Sequence, residues 1–368
     1  MKKYILTVFF ALCIWGLFLA DLLVPTREFS QLENRPLAQS PAYSTRALLS
    51  NTYTLKYEEY VNDQFVARDS WITIKSLGES ALGKQENNGV VYGKNNQLFE
   101  EASALDDRQL RKNLEYIREL IQTCEDQPVT LTIIPNSYAV LEELLPQGLS
   151  FIDQKKLIGD YYRDLAGEPV SICDVTPALL EHKDDYIYYR TDHHWTTQGA
   201  YLAYRELMEL LGRDAVPLEE LSAHEVPDFY GTYYSKAKKW NALPDVITWY
   251  DVRTKGVTID SIPVDGLYDH GMWSQRDKYK AFLHGNNGLT VIQSGEEGAQ
   301  GSILVFKDSY GNSLVPFLAK SFREVHVVDL RYFNDVSALL EQNTYDALWV
   351  LYNFSTLTTD QNLYKLAR

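Results

Sequence analysis

The sequence contains little cysteine, with three residues in 368, and one of these, Cys13, lies in an apolar N-terminal segment. No Cys-x-x-Cys pair occurs, which argues against a disulfide framework and against a zinc knuckle. Basic residues are also scarce: 35 Lys and Arg stand against 50 Asp and Glu, for a net charge of −15. This balance argues against nucleic-acid binding, which needs a basic surface to neutralise phosphates.

Internal repeats and low-complexity runs are also missing, but a long uncharged run, Tyr4 to Ala20, follows the basic start Met1-Lys2-Lys3. Such a run is typical of a secretory signal or a signal anchor. Signal cleavage requires small residues at the end of the run, and Phe18 is too large. We therefore expect residues 1–24 to be an uncleaved single-pass anchor in the cell membrane, with the lysines in the cytoplasm and the remaining chain extracellular. Cleavage would instead give a secreted protein.

Tyrosine is frequent, with 26 residues. A flat ring covers the apolar face of a sugar while its hydroxyl bonds to the rim, so this composition favours a carbohydrate-binding cleft. A lineage bias in composition explains it equally well.

The rest of the chain changes character near residue 105. Residues 25–104 combine a proline-containing linker, a helical segment from Tyr53 to Leu82 and a hairpin from Gly89 to Phe99. From residue 105 to 368, apolar strands alternate with helices, which predicts an α/β domain with a parallel sheet covered on both faces. Residues 213–300 interrupt this alternation and are interpreted as a β-rich insertion or lid.

The densest chemistry lies between Tyr186 and Thr197, where Asp192, His193 and His194 are consecutive. Positions i and i+2 of an extended segment project to the same side, so we expect Asp192 and His194 to face one cleft and His193 to point away. Asp and His together also suit zinc, manganese or iron. A short Asp-His-His string also occurs in a class of metal-dependent phosphoesterases, which need further aspartates after other strands. This sequence has no convincing Asp-x-Asp partner for it, so we predict no metal.

The second informative stretch is an apolar strand, Ser302 to Phe306, followed by Lys307-Asp308-Ser309 and a helix. Ligands of open α/β sheets bind at this end of a strand, and a helix N-terminus there stabilises an oxyanion. A nucleophilic serine needs a base that is oriented by a carboxylate. His194 and Asp192 are candidates for those roles, whereas the alternative for Ser309 is an ordinary helix N-cap.

These motifs resemble a known family. Asp192-His193-His194-Trp195, followed by Thr-Thr-x-Gly-Ala, looks like the motif that names the DHHW family, which is similar to the SGNH hydrolase-like alginate O-acetyltransferase proteins of the AlgX and AlgJ type. Lys307-Asp308-Ser309 also resembles the Gly-Asp-Ser block of GDSL esterases, with lysine in place of glycine. The resemblance covers most of the chain beyond the anchor, through further weak motifs at Glu33-Asn34-Arg35, Asp63-Gln64-Phe65, Arg68-Asp69, Gly89-Val90 and Tyr92-Gly93-Lys94.

The resemblance implies an SGNH-hydrolase-like fold and a catalytic triad of Asp192, His194 and Ser309, in the permuted order of the alginate proteins. Residues expected to bind substrate are Asn136 as an oxyanion donor, Arg331, Trp195 and Tyr310. Because acetyl-CoA is not available outside the cell, the resemblance also implies a membrane-bound O-acyltransferase (MBOAT) that delivers acetyl groups. No cofactor is expected.

The sequence thus predicts an extracellular O-acetyltransferase or acetylesterase acting on a cell-surface or secreted polysaccharide through an acyl-serine intermediate. The alternatives are a non-catalytic carbohydrate-binding or assembly protein of a polysaccharide modification system, and a metal-dependent hydrolase.

Overall fold

The computed structural model describes residues 4–105, 107–124 and 127–367. The chain divides into two compact units. One unit runs to Asn88 and includes the later segment Tyr234–Ala242, while the other contains Gly89–Tyr233 and the chain from Leu243 onward. The division into 1–24, 25–104 and 105–368 that the sequence suggests stays a prediction.

The first unit begins with an apolar helix, α1, none of whose described residues is buried. Within the part of the chain that the structure describes, α1 is the one helix long and apolar enough to cross a membrane. Lys2 and Lys3, which the sequence places in the cytoplasm, lie outside the described residues. The helices and strands of this unit are α1 (Ile5–Leu23), β1 (Phe29–Ser30), β2 (Arg35–Pro36), α2 (Thr45–Leu49), α3 (Thr52–Gln64), α4 (Arg68–Ala81) and β3 (Glu86–Asn87).

The helical segment predicted from Tyr53 to Leu82 is two helices, because the chain turns between α3 and α4. Ala67 takes the left-handed conformation, with φ of 54°. The backbone N–H of Val66 donates to Asp21 Oδ1 at 2.9 Å, so it is bonded outside the helix ladder. A left-handed residue and a diverted donor both interrupt an α-helix.

Three of the weak sequence motifs are joined by ion pairs at this turn. Arg35 donates to both carboxylate oxygens of buried Asp63, at 2.8 and 2.6 Å, and Arg68 Nη1 lies 2.7 Å from Glu33. The hydrogen bond from Arg35 holds the pKa of Asp63 below its ordinary value. The motifs Glu33-Asn34-Arg35, Asp63-Gln64-Phe65 and Arg68-Asp69 therefore meet in one set of charge-assisted hydrogen bonds and ion pairs.

The second unit is built on an eight-stranded sheet in the order β11-β10-β12-β14-β13-β15-β6-β7. The strands from β14 to β7 in this order are parallel to one another, and β12, β10 and β11 join them antiparallel. The elements of this unit are β4 (Val90–Tyr92), β5 (Leu98–Glu100), α5 (Asp107–Thr123), β6 (Val129–Ile134), α6 (Ser137–Val140), α7 (Gln154–Asp164), β7 (Val170–Ile172), α8 (Thr176–Glu181), α9 (Thr197–Leu210), β8 (Ala223–Phe229), α10 (Thr232–Ala237, which ends in the first unit), β9 (Asp245–Tyr250), β10 (Thr254–Ile259), β11 (Ile262–Val264), β12 (Leu289–Ser294), β13 (Ser302–Lys307), α11 (Val315–Ser321), β14 (Glu324–Val328), α12 (Val336–Gln342), β15 (Ala347–Asn353) and α13 (Phe354–Thr359).

The central strands are mostly apolar because helices cover both faces of the sheet. Every residue of β6 and β15 is buried. Along β13, Ile303 and Val305 pack into the core formed with α9 and α11, while Leu304 and Phe306 pack into the core formed with α5, α12 and α13. This alternation follows from the two-residue period of a strand.

The predicted fold class is confirmed: a mainly parallel sheet flanked by helices carries a β-rich insertion. The structure adds that the insertion is more than a lid. Strands β8 and β9 form a separate antiparallel pair, whereas β10, β11 and β12 extend the central sheet. The predicted hairpin is also confirmed, with Val90 opposite Glu100.

Candidate active site

Ser309 lies where the central strand β13 ends. It begins a short 3-10 helix, Ser309–Ser313, at the carboxyl edge of the parallel strands. Asp308 occupies the N-cap: its Oδ1 accepts from the Tyr310 N–H at 2.9 Å and its Oδ2 from the Asn353 N–H at 2.8 Å. The alternative that Ser309 serves as the helix cap is therefore wrong. Its side chain is available for another partner, and the residue is partly exposed.

The segment that carries Asp192 and His194 is a tight loop closed by a bridge between Tyr188 and Trp195. Asp192 is buried and accepts four hydrogen bonds. Its Oδ1 accepts from the backbone N–H and from Nδ1 of His194, at 3.0 and 2.5 Å. Its Oδ2 accepts from the backbone N–H and the hydroxyl of Thr232, at 2.7 and 3.1 Å. These bonds fix the carboxylate, which in turn orients the His194 ring.

The two segments meet at the histidine. His194 Nε2 lies 2.8 Å from Ser309 Oγ, although the two residues are 115 positions apart in the chain. Asp192, His194 and Ser309 thus form a continuous hydrogen-bonded chain. Since Asp192 holds Nδ1, Nε2 is the nitrogen that faces the serine hydroxyl and is placed to accept its proton.

The charges at the site favour an ionised carboxylate. Burial by itself would raise the pKa of Asp192, but the adjacent His193 and His194 and the hydrogen bonds from His194 and Thr232 outweigh burial and hold that pKa far below its usual range. His193 keeps about a third of its side chain exposed. Desolvation of its ring and the neighbouring His194 nevertheless lower the pKa of His193 to about 4. His193 is therefore neutral at pH 7.

The position of His193 differs from the sequence-based expectation. Its ring packs against the His194 ring, with 3.8 Å between centroids, instead of pointing away. His193 Nδ1 lies 2.7 Å from the Thr232 hydroxyl. The i and i+2 argument placed Asp192 and His194 together but did not foresee that the tight loop folds the intervening ring back.

A tyrosine that no sequence motif indicates also lies at this site. Tyr279 belongs to the β-rich insertion, in the 3-10 helix Lys278–Ala281. Its ring stacks on His194, with centroids 3.9 Å apart and planes 11° apart. Its hydroxyl donates to the Ser309 carbonyl oxygen at 3.0 Å.

The residues predicted to bind substrate occupy different places. Trp195 and Tyr310 are buried: Trp195 Nε1 donates to the Tyr310 carbonyl at 3.0 Å, and the Tyr310 hydroxyl donates to the His193 carbonyl. Buried Asn136 accepts, through Oδ1, from Gln154 at 2.9 Å and from Ser355 at 3.0 Å. Contact with a substrate stays a prediction for all three.

Arg331 is paired with buried Asp329, at 2.8 and 2.5 Å. Lys307, which follows the Ser302–Phe306 run, lies 3.6 Å from the same carboxylate. Burial lowers the pKa of Lys307 to about 8. A substrate-binding role for Arg331 also stays a prediction.

A metal site is the main alternative for the histidine segment. Ligand atoms of Asp192, His193 and His194 all lie within 4.8 Å of one another. The same atoms, however, are engaged in the hydrogen bonds with Ser309 and Thr232 described above. A metal ion would have to break these bonds, so the donor set fits a serine site better than a metal site.

Gly231 provides a test of how closely this site is packed. A Cβ at Gly231 would lie 2.2 Å from Asp192 Cβ and 2.3 Å from Asp192 Oδ2. We expect Gly231→Ala to displace the carboxylate, to destabilise the protein by about 1–3 kcal/mol and to reduce activity by about 100-fold. Denaturant unfolding and an acetyl-ester assay measure both effects.

Gly159→Ala is the matched control, because its Cβ would meet nothing within 4 Å and the residue lies in α7. That change should leave activity unaltered and raise stability by about 0.5–1 kcal/mol. Equal behaviour of the two variants would contradict the packing of Gly231 on Asp192.

The sequence of this chain matches one known protein family. The DHHW protein family model matches residues 127–328, more than half of the 368 residues. The chain belongs to the DHHW family. The match includes the Asp192-His193-His194-Trp195 segment and Lys307-Asp308-Ser309. No curated protein matches the chain.

Solved structures with this fold include another member of the DHHW family. A DHHW family protein from Eubacterium siraeum has a TM-score of 0.65 and 23% identity, covering 76% of this chain and 95% of that chain. PatB1 from Bacillus cereus has a TM-score of 0.61 and 19% identity, covering 74% of this chain and 97% of that chain. The structure of Bacillus cereus PatB1 with a sulfonyl adduct has a TM-score of 0.62 and 17% identity, covering 76% of this chain and 100% of that chain. At these identities the likeness shows the fold.

Proposed function

We propose that this DHHW protein is a serine O-acetyltransferase or acetylesterase that acts on polysaccharide. The observation that carries the proposal is the 2.8 Å approach of His194 Nε2 to Ser309 Oγ, with His194 Nδ1 held by Asp192. A serine hydroxyl, a base and an orienting carboxylate in this order form the arrangement that activates serine in acyl transfer. The choice of polysaccharide as substrate and of acetyl as the transferred group rests on the family resemblance.

In the proposed reaction, Ser309 Oγ attacks the carbonyl carbon of an acetyl ester while His194 Nε2 takes the serine proton. His194 then gives that proton to the departing alcohol oxygen, which leaves acetyl-Ser309. A sugar hydroxyl attacks the acetyl carbon, loses its proton to His194 and leaves as the acetylated sugar, and His194 returns the proton to Ser309. With water in place of the sugar the products are acetate and free enzyme. Ionised Asp192 stabilises the imidazolium that forms in each half-reaction.

We also propose that α1 anchors the protein in the cell membrane, with the second unit outside the cell. Its length and apolar composition support this placement. Extracellular acetyl transfer needs a donor delivered through the membrane, and a membrane-bound O-acyltransferase is the partner that the family resemblance implies. Acetyl groups would then pass from this partner to Ser309 and on to a cell-surface or secreted polysaccharide.

The test is to incubate the full chain in detergent with p-nitrophenyl acetate, with and without oligosaccharide acceptors. Release of nitrophenol with acetylated sugar shows transfer, and release with free acetate alone shows hydrolysis. Activity that is lost to a chelator and restored by metal would overturn the proposal in favour of a metal hydrolase. Binding of the oligosaccharide without any turnover would favour the non-catalytic alternative.

Reaction with a sulfonyl fluoride gives a second prediction. PatB1, which has this fold, is known with a sulfonyl adduct. Sulfonyl fluorides modify activated serine hydroxyls, so we expect one sulfonyl group on Ser309 and complete loss of activity. Peptide mass spectrometry locates the adduct. Modification elsewhere, with activity retained, would contradict an activated Ser309.

A further inference from the structure

We propose that Tyr279 is a positioning residue for the acyl-transfer reaction: its ring holds the His194 imidazole in place, and its hydroxyl holds the Ser309 backbone. The inference rests on the proposed function and adds to it a residue from the β-rich insertion.

The ring of Tyr279 covers one face of His194. The planes of the two rings differ by 11° and their centroids are 3.9 Å apart, so they stack over a large area. His193 packs on His194 as well, at 3.8 Å and 38°. The imidazole is thus confined by two rings as well as by Asp192. Confinement matters because a base displaced by about 1 Å can cost 100-fold in rate.

The hydroxyl of Tyr279 binds the backbone of Ser309. It donates to the Ser309 carbonyl oxygen at 3.0 Å and lies 3.2 Å from Ser313 Oγ. Tyr279 is buried, and this burial raises the pKa of its hydroxyl, which therefore stays protonated as a donor. One side chain consequently contacts both the base and the backbone of the serine, which are 115 positions apart in the chain.

The segment around Tyr279 is itself fixed. The Tyr279 ring packs on Phe282 at 5.3 Å and meets Tyr189 at 6.4 Å. Phe282 is fully buried and packs in turn on Tyr268 and Trp273. These contacts tie Tyr279 to the β-rich insertion, which thereby contributes an aromatic side chain to the site.

Two variants separate the ring from the hydroxyl. Tyr279→Phe keeps the stacking surface and removes the donor, and we expect a kcat lower by about tenfold with KM unchanged. Tyr279→Leu removes the stacking, and we expect a kcat lower by about 100-fold. In both variants the rate of Ser309 modification by a sulfonyl fluoride should fall in parallel with kcat, because that rate reports the alignment of the serine with its base.

The controls are Tyr345→Leu and Ser313→Ala. Tyr345 is a buried tyrosine that packs on His326, in the core that contains Leu304 and Phe306. Tyr345→Leu opens a comparable cavity there and should lower the melting temperature, with kcat per folded molecule unchanged. Ser313→Ala removes the other neighbour of the Tyr279 hydroxyl and should alter kcat by less than about twofold.

Unchanged kcat and labelling rates in folded Tyr279→Phe and Tyr279→Leu would overturn the inference. Where Tyr279→Leu does not fold, Tyr279→Phe decides by itself, since it preserves the packing. Loss of positioning is distinguishable from failure of the proposed function. If Ser309→Ala and His194→Ala retain wild-type rates, the triad itself is wrong; if they are inactive while both Tyr279 variants are unaffected, only the role of Tyr279 is wrong.

Discussion

Ser309→Ala is expected to lose acetyl transfer by about 10⁴-fold or more while the protein folds normally. The reason is that Ser309 Oγ is the hydroxyl that faces the base, because it lies 2.8 Å from His194 Nε2. The backbone turn at Ser309 depends instead on the Asp308 side chain, which the substitution leaves in place. The measurement is the initial rate of acetyl transfer, with circular dichroism and thermal unfolding to verify folding.

Ser313→Ala is the control for Ser309→Ala, since it removes a buried hydroxyl from the same 3-10 helix. It should retain the wild-type rate within about twofold. A folded Ser309→Ala protein with wild-type activity would show that another nucleophile carries the reaction.

Asp192→Asn is expected to lower kcat by about 10⁴-fold. Asp192 accepts hydrogen bonds on both oxygens, from His194 on Oδ1 and from Thr232 on Oδ2. An amide has only one accepting oxygen, so its NH₂ group must face a donor on one of the two sides. The His194 ring then loses either its orientation or its support. Steady-state kinetics with the acetyl ester measures the loss.

Thr232→Val is the comparison for this variant, because it removes the hydroxyl bond to Asp192 Oδ2 and keeps the backbone N–H. The change also removes the contact of the Thr232 hydroxyl with His193 Nδ1, but it leaves both bonds between Asp192 and His194 in place. It should therefore cost less than about tenfold in kcat. An Asp192→Asn protein within about tenfold of wild type would contradict the orienting role of the carboxylate.

Asp192→Asn should also change how the stability of the protein depends on pH. The pKa of Asp192 is lower in the folded protein than the ordinary value of 3.8, so the folded state favours the carboxylate. This contribution is fully present above the unfolded pKa and is lost as pH falls below it. The free energy of unfolding, measured with denaturant between about pH 6 and pH 2, should therefore fall below about pH 4. The fall should be steeper for the wild type than for Asp192→Asn. Parallel curves would contradict the lowered pKa.

Local patterns made the two halves of the site predictable. The apolar run before Lys307 indicated a buried strand, and the polar turn after it placed Ser309 at the sheet edge. The spacing of Asp192 and His194 predicted that both side chains face one cleft, although the segment is a tight loop and not an extended one. These features depend on neighbouring residues, which is why sequence periodicity detects them.

Other features depend on tertiary contacts that no local pattern records. The residue pattern made His194 and Ser309 candidates for base and nucleophile, and the family resemblance implied one triad. The 2.8 Å contact itself joins segments 115 residues apart, which no local pattern records. Strands β10 and β11 have exposed residues along their length, so their sequences gave no sign that they extend the central sheet. Tyr279 lies in a segment without a motif, and its role becomes visible only from the rings and carbonyl it contacts.

The most direct test of the central claim is to trap the acyl-enzyme. The full chain is mixed with an acetyl ester, quenched with acid within milliseconds to seconds, and digested for peptide mass spectrometry. We predict one acetyl group on Ser309 in wild type, formed at a rate that matches or exceeds turnover, and none in His194→Ala or Ser309→Ala. Turnover at the wild-type rate with no acetyl group on Ser309 at any quench time would contradict the acyl-serine account.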